Sequence, residues 1–143
     1  MKKTLSMKAV ILVSMILWVL MARFLGGCSA SKDDGGKVRD LEFTVVSETE
    51  IPEELQKIIT EKMAQSFKLT YSDDQNLYIV VGYGQQPTGG YSIAVKELYL
   101  TDNSIVIDTE LTGPGNGENT GTEPSYPYIV VKTEFLENPV IFQ

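Results

Sequence analysis

The alternation of apolar and polar positions divides the chain into a leading apolar run, a short polar stretch and a longer patterned region. The run at 9–22, AVILVSMILWVLMA, is free of charge and follows Lys2, Lys3 and Lys8. A helix needs about 20 apolar residues to cross a bilayer, so this run is too short to span comfortably. A basic start followed by a short apolar run predicts a secretory signal peptide.

The residues after this run resemble the lipobox of bacterial lipoprotein precursors. They read Leu25-Gly26-Gly27-Cys28, with small side chains before the cysteine. The resemblance implies that residues 1–27 are a removable signal and that Cys28 is the lipidation site, acylated and held by membrane lipid. The pattern departs from the family at Gly26, where Ala, Ser or Thr is commoner, and Arg23 adds a charge before the box. An uncleaved anchor and a free buried thiol therefore stay open as alternatives.

The polar stretch at 28–37, CSASKDDGGK, predicts a flexible tether. An acylated cysteine followed by a tether would place the protein outside the cytoplasm. The expected location is the outer face of the cell membrane or the outer membrane.

The patterned region at 38–143 predicts one strand, one helix and then further strands. Leu41, Phe43 and Val45 alternate with more polar residues, which indicates a half-buried strand. A single apolar stripe predicts an amphipathic helix from Pro52 to Ser66. The stripe is formed by Leu55, Ile58, Ile59 and Met63.

The rest of the region predicts strands near 67–71, 77–83, 91–100, 105–111 and 129–135, and residues 140–142 are expected to add a final short strand or to cover a sheet edge. A phase shift near Glu97 indicates a β-bulge or a bend. The glycine-rich stretch from Thr112 to Ser125 has too few apolar residues to pack, and a mobile loop is expected. The order of elements predicts a single α+β domain at 38–143: a small antiparallel β-sheet or sandwich with one amphipathic helix packed on it.

Charge and composition exclude several functions. The first 27 residues hold four basic and no acidic residues, so the remainder carries eight basic and 19 acidic residues, a formal charge of −11. Phosphate backbones would repel such a domain, which argues against nucleic acid as a partner. The chain has no His and one Cys, which removes the commonest general base and any intramolecular disulfide. No catalytic residue, metal site or cofactor is predicted, and the weak alternative is calcium at Asp73, Asp74 and Asn76.

A glycine-rich loop and a second aromatic segment are the candidate partner-binding residues. The loop offers a rigid proline, a hydroxyl, two glycines and an aromatic ring, a composition that lets another backbone approach. Tyrosine is also enriched at interfaces. Alternatively, the glycines only form the turn and the loop tyrosine packs in the core. The candidates are Pro87, Thr88, Gly89, Gly90, Tyr91, Pro127 and Tyr128.

Three stretches within 77–135 form a further pattern: Gly82-Tyr83-Gly84, the stretch from Pro87 to Ile93, and Pro127-Tyr128-Ile129-Val130-Val131. On these residues the segment 77–135 resembles the C-terminal domain of the PrcB-like family. Members are lipoprotein subunits that associate with and stabilise a cell-surface subtilisin-like protease complex. The resemblance implies a non-enzymatic binding or stabilising subunit whose partner is a secreted or envelope protein such as a protease.

A second resemblance competes with the first. The stretch from Gln86 to Tyr91 is similar to the Asn-Pro-Thr-Thr-Gly-Tyr loop of chagasin-like cysteine-protease inhibitors, with Gln for Asn and Gly for the second Thr. The Arg-Pro-Trp/Phe element of those inhibitors is missing, and the expected helix fits their sandwich poorly. A protease inhibitor and a purely structural envelope lipoprotein are the alternative functions.

Overall fold

The computed structural model describes residues 36–143, which form eight strands, one α-helix and one 3-10 turn. This content confirms the predicted α+β class. The elements are β1 (Lys37–Asp40), β2 (Phe43–Val45), the 3-10 turn (Glu48–Glu50), α1 (Glu53–Lys62), β3 (Ser66–Ser72), β4 (Asn76–Tyr83), β5 (Ser92–Thr101), β6 (Ile105–Thr112), β7 (Tyr128–Glu134) and β8 (Val140–Phe142).

The strands form two four-stranded sheets. Sheet A has the order β1-β5-β6-β8, and sheet B has the order β2-β7-β4-β3. All neighbouring strands are antiparallel except β6 and β8, which run parallel. The C-terminal strand was expected, but its parallel pairing was not, because a short apolar run carries no information on direction.

Sheet B is the middle of three layers, because its central strand β4 is buried on both faces. Leu77, Ile79 and Val81 belong to the cluster shared with sheet A, whereas Tyr78 and Val80 belong to the cluster under α1. Burial on both faces explains why the sequence of β4 is nearly continuously apolar instead of alternating.

Helix α1 packs on the outer face of sheet B through Leu55 and Ile59, both fully buried. It ends at Lys62, four residues before the predicted end, because Ser66 already pairs with Tyr83 as the first residue of β3. Acidic residues in its first turn and a lysine in its last complement the helix dipole.

The predicted strand at Leu41, Phe43 and Val45 is wrong in its details. Leu41 is buried where the chain crosses from sheet A to sheet B, and the pattern is therefore split between two strands. Phe43 and Val45 lie on the core side of sheet B, opposite Thr133 and Val131. They nevertheless remain 41% and 54% exposed, because β2 is an edge strand.

The irregularity predicted near Glu97 is a β-bulge. Val95 pairs with Thr109 and Glu97 with Asp108, so Lys96 is the extra residue of a bulge, as expected.

Lys37, the last residue of the predicted tether, already begins β1. The signal at 1–27, Cys28 and the tether as far as residue 35 lie outside the described residues. Between residues 36 and 143, no helix has the length and apolar character needed to span a membrane.

Candidate functional site

Two connections emerge from the same end of the sandwich and lie side by side. One is the β4–β5 loop at 84–91, and the other is the β6–β7 loop at 113–127. Ser92 pairs with Thr112 in sheet A, and Gly82 pairs with Tyr128 in sheet B, so both loops leave at this level. We call the pair of loops the two-loop surface.

Backbone hydrogen bonds join the two loops. The Gln86 N–H donates to the Ser125 carbonyl at 2.8 Å, and the Ser125 N–H donates back to Gln86 at 3.1 Å. The Ser125 hydroxyl donates to the Thr88 carbonyl at 2.6 Å. Nearby, the Tyr83 N–H donates to the Pro127 carbonyl at 3.0 Å. The expectation that the 112–125 stretch would not pack is therefore wrong, because backbone and hydroxyl groups also form contacts and a count of apolar residues does not register them.

Glycines allow this close approach. Gly90 has φ +83°, and a Cβ there would lie 2.8 Å from Thr120 Cγ2 and 3.0 Å from Pro114 Cβ. A Cβ on Gly113 would lie 3.3 Å from Tyr91 Cε1. The glycines therefore serve the packing of one loop on the other, besides forming the turn.

The structure brings the predicted loop residues together with residues that the sequence did not mark. Pro87 and Gly90 are exposed, while Thr88, Gly89 and Tyr91 are half-buried. The additional residues come from the second loop, which carries no alternation or motif that could have identified them. They are Pro114, Glu118, Thr120 and Ser125.

Pro127 and Tyr128 occupy a different position from the first loop. Both are half-buried, and the Tyr128 ring packs against the cluster under α1, on the far face of sheet B. The Pro127 carbonyl is engaged by Tyr83. The structure therefore gives these two residues packing contacts, and their predicted role in partner binding stays a prediction.

The hydroxyl and carboxylate groups near the loops and turns have structural partners. The Thr88 hydroxyl donates to the Gly89 carbonyl at 3.1 Å. Asp73 Oδ1 accepts the N–H groups of Gln75 at 2.9 Å and Asn76 at 2.7 Å, and these bonds lower the pKa of the Asp73 carboxyl. Asp73 therefore stabilises the β3–β4 turn. Within residues 36–143, no cluster of acidic, Cys or His side chains could hold a metal ion.

Residues 77–134 match the family described as PrcB C-terminal. The chain therefore contains a segment similar to the PrcB C-terminal family. The PrcB-like segment begins in β4, ends with β7 and includes both loops, while the other strands and α1 lie outside it. No curated protein and no solved structure matched the chain.

Proposed function

We propose that this protein is a PrcB-like, exported lipoprotein that acts as a non-catalytic binding or stabilising subunit. In this proposal Cys28 carries the lipid, and the two-loop surface binds a secreted or envelope protein such as a protease. The lipobox-like sequence supports the anchor, and the family match supports the accessory role.

The observation that carries the proposal is the separation between the two-loop surface and the N-terminal strand. Lys37 pairs with Thr101 at one end of β5, whereas Ser92 at the other end borders the loops. The ten residues of β5 span about 30 Å. A chain anchored at Cys28 would enter the domain at the Thr101 end. In this proposal the two-loop surface, at the other end of β5 from this entry point, is the part of the domain that binds other envelope proteins.

The chemistry of the two-loop surface supports binding over catalysis. The hydroxyls of Thr88 and Ser125 both donate to backbone carbonyls. No histidine exists in the chain to activate either of them. Glycine, proline and hydroxyl groups of this kind suit contact with another backbone.

The anchor is tested by intact-mass measurement of the protein purified from membranes. We expect a mature chain that begins at Cys28 and carries the mass of acyl chains on it. The Cys28→Ser variant should remain unprocessed. An unmodified thiol in a cytosolic protein that keeps Met1 would contradict the anchor.

The binding role is tested by cross-linking in whole cells followed by affinity purification. Pro87→Lys places a charge on an exposed loop residue, and Pro139→Lys is the matched control, because Pro139 is exposed near the opposite end, where its carbonyl accepts the Ile105 N–H. We expect one envelope or secreted protein to be lost from Pro87→Lys alone. Equal recovery from both variants would contradict binding through the loops. Tryptophan at Gly90 is a poor probe, because φ +83° strains any side chain there.

An inhibitor of proteases is the second candidate, since Pro87 is exposed at the end of a β-sandwich. Thr120 and Pro114 lie close to Gly90 and hold this loop against the β6–β7 loop, which argues against a free loop that enters a protease cleft. Titration of papain and subtilisin with the protein separates the two functions. Stoichiometric inhibition of either enzyme would favour the inhibitor.

A further inference from the structure

Strand β5 has an edge that is only partly paired. Strand β1 covers Tyr99 to Thr101, and the Leu41 N–H donates to the Leu98 carbonyl at 3.0 Å. Beyond this point, no other residue among 36–143 pairs with Ser92–Glu97 on that side. Half of β5 is therefore an open sheet edge.

The register identifies the backbone groups that point outward from this edge. The last residue of the chain donates its N–H to the Ile107 carbonyl at 2.9 Å, so the backbone groups of Ile107 point away from β5. Along an antiparallel pair, successive residues direct their backbone N–H and C=O groups alternately towards the partner strand and away from it. Thr109 and Leu111 therefore also point away from β5, and their partners Val95 and Ile93 direct N–H and C=O groups to the open edge.

Two exposed apolar side chains of the facing sheet lie on the same side of the sandwich as this edge. Phe43 and Val45 point to the core side of sheet B but stay 41% and 54% exposed. The short link from β1 to β2 puts these strands on the same side of the sandwich. Lys68 Nζ, 5.6 Å from the Phe142 ring, places β3 and β8 on the other side. We define the open side as the edge at Ser92–Glu97 together with these two exposed side chains.

The charges around the open side are mainly acidic. On β5 and β6 the charged residues are Lys96, Glu97, Asp108 and Glu110. Ala94 lies opposite Glu110, and its small side chain leaves room across the strand. An added strand would lie about 10 Å from β6, which is two strand spacings. A lysine or arginine side chain on that strand could reach Glu110 across Ala94.

We propose that the open side binds an extended segment of the partner protein as an added strand of sheet A. Apolar side chains of this segment face Val45, and basic side chains face Glu110 and Asp108. The inference rests on the proposed binding role and names the kind of segment that is bound. The chain's own stretch at 28–36, CSASKDDGG, does not suit the site, because it is acidic and offers no large apolar side chain.

The test uses the full chain in dodecyl maltoside and a fluorescein-labelled peptide, Lys-Val-Thr-Val-Lys-Val-Thr, read by fluorescence anisotropy. Val45→Glu should weaken binding about tenfold, the loss expected for one valine-sized apolar contact. Val38→Glu is the matched control, because Val38 is 55% exposed and lies on β1. It should change the affinity less than twofold. Equal effects of the two variants, or no binding of the peptide at 1 mM, would overturn the proposal.

Two further measurements test the backbone and the charge. Methylation of those alternate peptide nitrogens whose N–H groups would pair with β5 should abolish binding. Replacement of the peptide lysines by glutamate should weaken binding. In the free protein, the amides of Ile93 and Val95 should exchange with deuterium faster than that of Ala94 and become protected with peptide. Undiminished binding of the methylated peptide, or protection of these amides in a dimer without peptide, would refute the proposal. The assay needs neither the natural partner nor Cys28, so its result is independent of the lipidation and cross-linking experiments.

Discussion

Replacement of Gly90 by alanine tests whether the two loops are packed on each other in solution. Gly90 and Gly117 both have positive φ, +83° and +85°. A Cβ at Gly90 would meet Thr120 Cγ2 at 2.8 Å and Pro114 Cβ at 3.0 Å, whereas a Cβ at Gly117 would have no neighbour within 4 Å. The two substitutions therefore share the backbone cost and differ only in the contact between the loops.

The magnitudes follow from these two contributions. Left-handed backbone costs a non-glycine residue about 1–2 kcal/mol, offset in part by the lower entropy of the unfolded alanine chain. Gly117→Ala should therefore reduce the free energy of unfolding by about 1 kcal/mol. Overpacking adds about 1–2 kcal/mol at Gly90, so Gly90→Ala should lose about 2–3 kcal/mol.

The assay is urea unfolding of each variant, followed by far-UV circular dichroism. With a denaturant slope of about 1.5 kcal/mol/M, the midpoint should fall by about 0.7 M for Gly117→Ala and by about 1.3–2 M for Gly90→Ala. Thr120→Ser removes Cγ2 and should restore about half of the difference in the double variant. Equal midpoints for Gly90→Ala and Gly117→Ala would refute the packing of one loop on the other.

Three further predictions concern the rest of the fold. Ile59→Ala should lower the free energy of unfolding by about 3 kcal/mol, because this side chain of α1 is fully buried against sheet B. Ile58→Ala should lower it by much less, because Ile58 is half-buried, and urea midpoints compare the two variants. The lowered pKa of Asp73 contributes stability that is present above about pH 4 and lost as the pH falls through the folded-state pKa. Asp73→Asn should remove that part of the acid dependence in urea titrations between pH 2 and about 6, and an unchanged profile would contradict it. Arg39→Ala breaks an exposed ion pair with Glu134 and should cost under about 1 kcal/mol in the same assay, so a larger loss would contradict the exposed geometry.

The local pattern of apolar and polar residues was sufficient to predict most helices and strands, but not which strands pair with each other. The stripe through Leu55 and Ile59 predicted the helix, because two buried side chains at helical spacing need no knowledge of what covers them. The strand prediction failed between Leu41 and Val45, because alternation reports which side chains share a face and not which sheet carries them. The chain changes sheet at this point, and only the pairing with Leu98 on one side and Thr133 on the other shows it.

The candidate site was also only partly predictable from the sequence. The composition of 87–91 indicated a special loop from glycine and proline alone. Thr120 and Pro114, which pack beside this loop, belong to a stretch with no apolar pattern. The sequence did not indicate this packing, because backbone hydrogen bonds such as that from Gln86 to Ser125 leave no periodic signal.

The α+β class, the position of α1, the central strand β4 and the likeness to PrcB-like proteins could all be predicted from the amino-acid sequence, since each depends on residues close together in the chain. The strand order, the contact between the two loops and the open part of the β5 edge, which no residue among 36–143 pairs with, are visible only in the folded chain. These features depend on hydrogen bonds between backbone groups far apart in sequence. Such groups are chemically the same in every residue except proline, so side-chain identity does not reveal their partners.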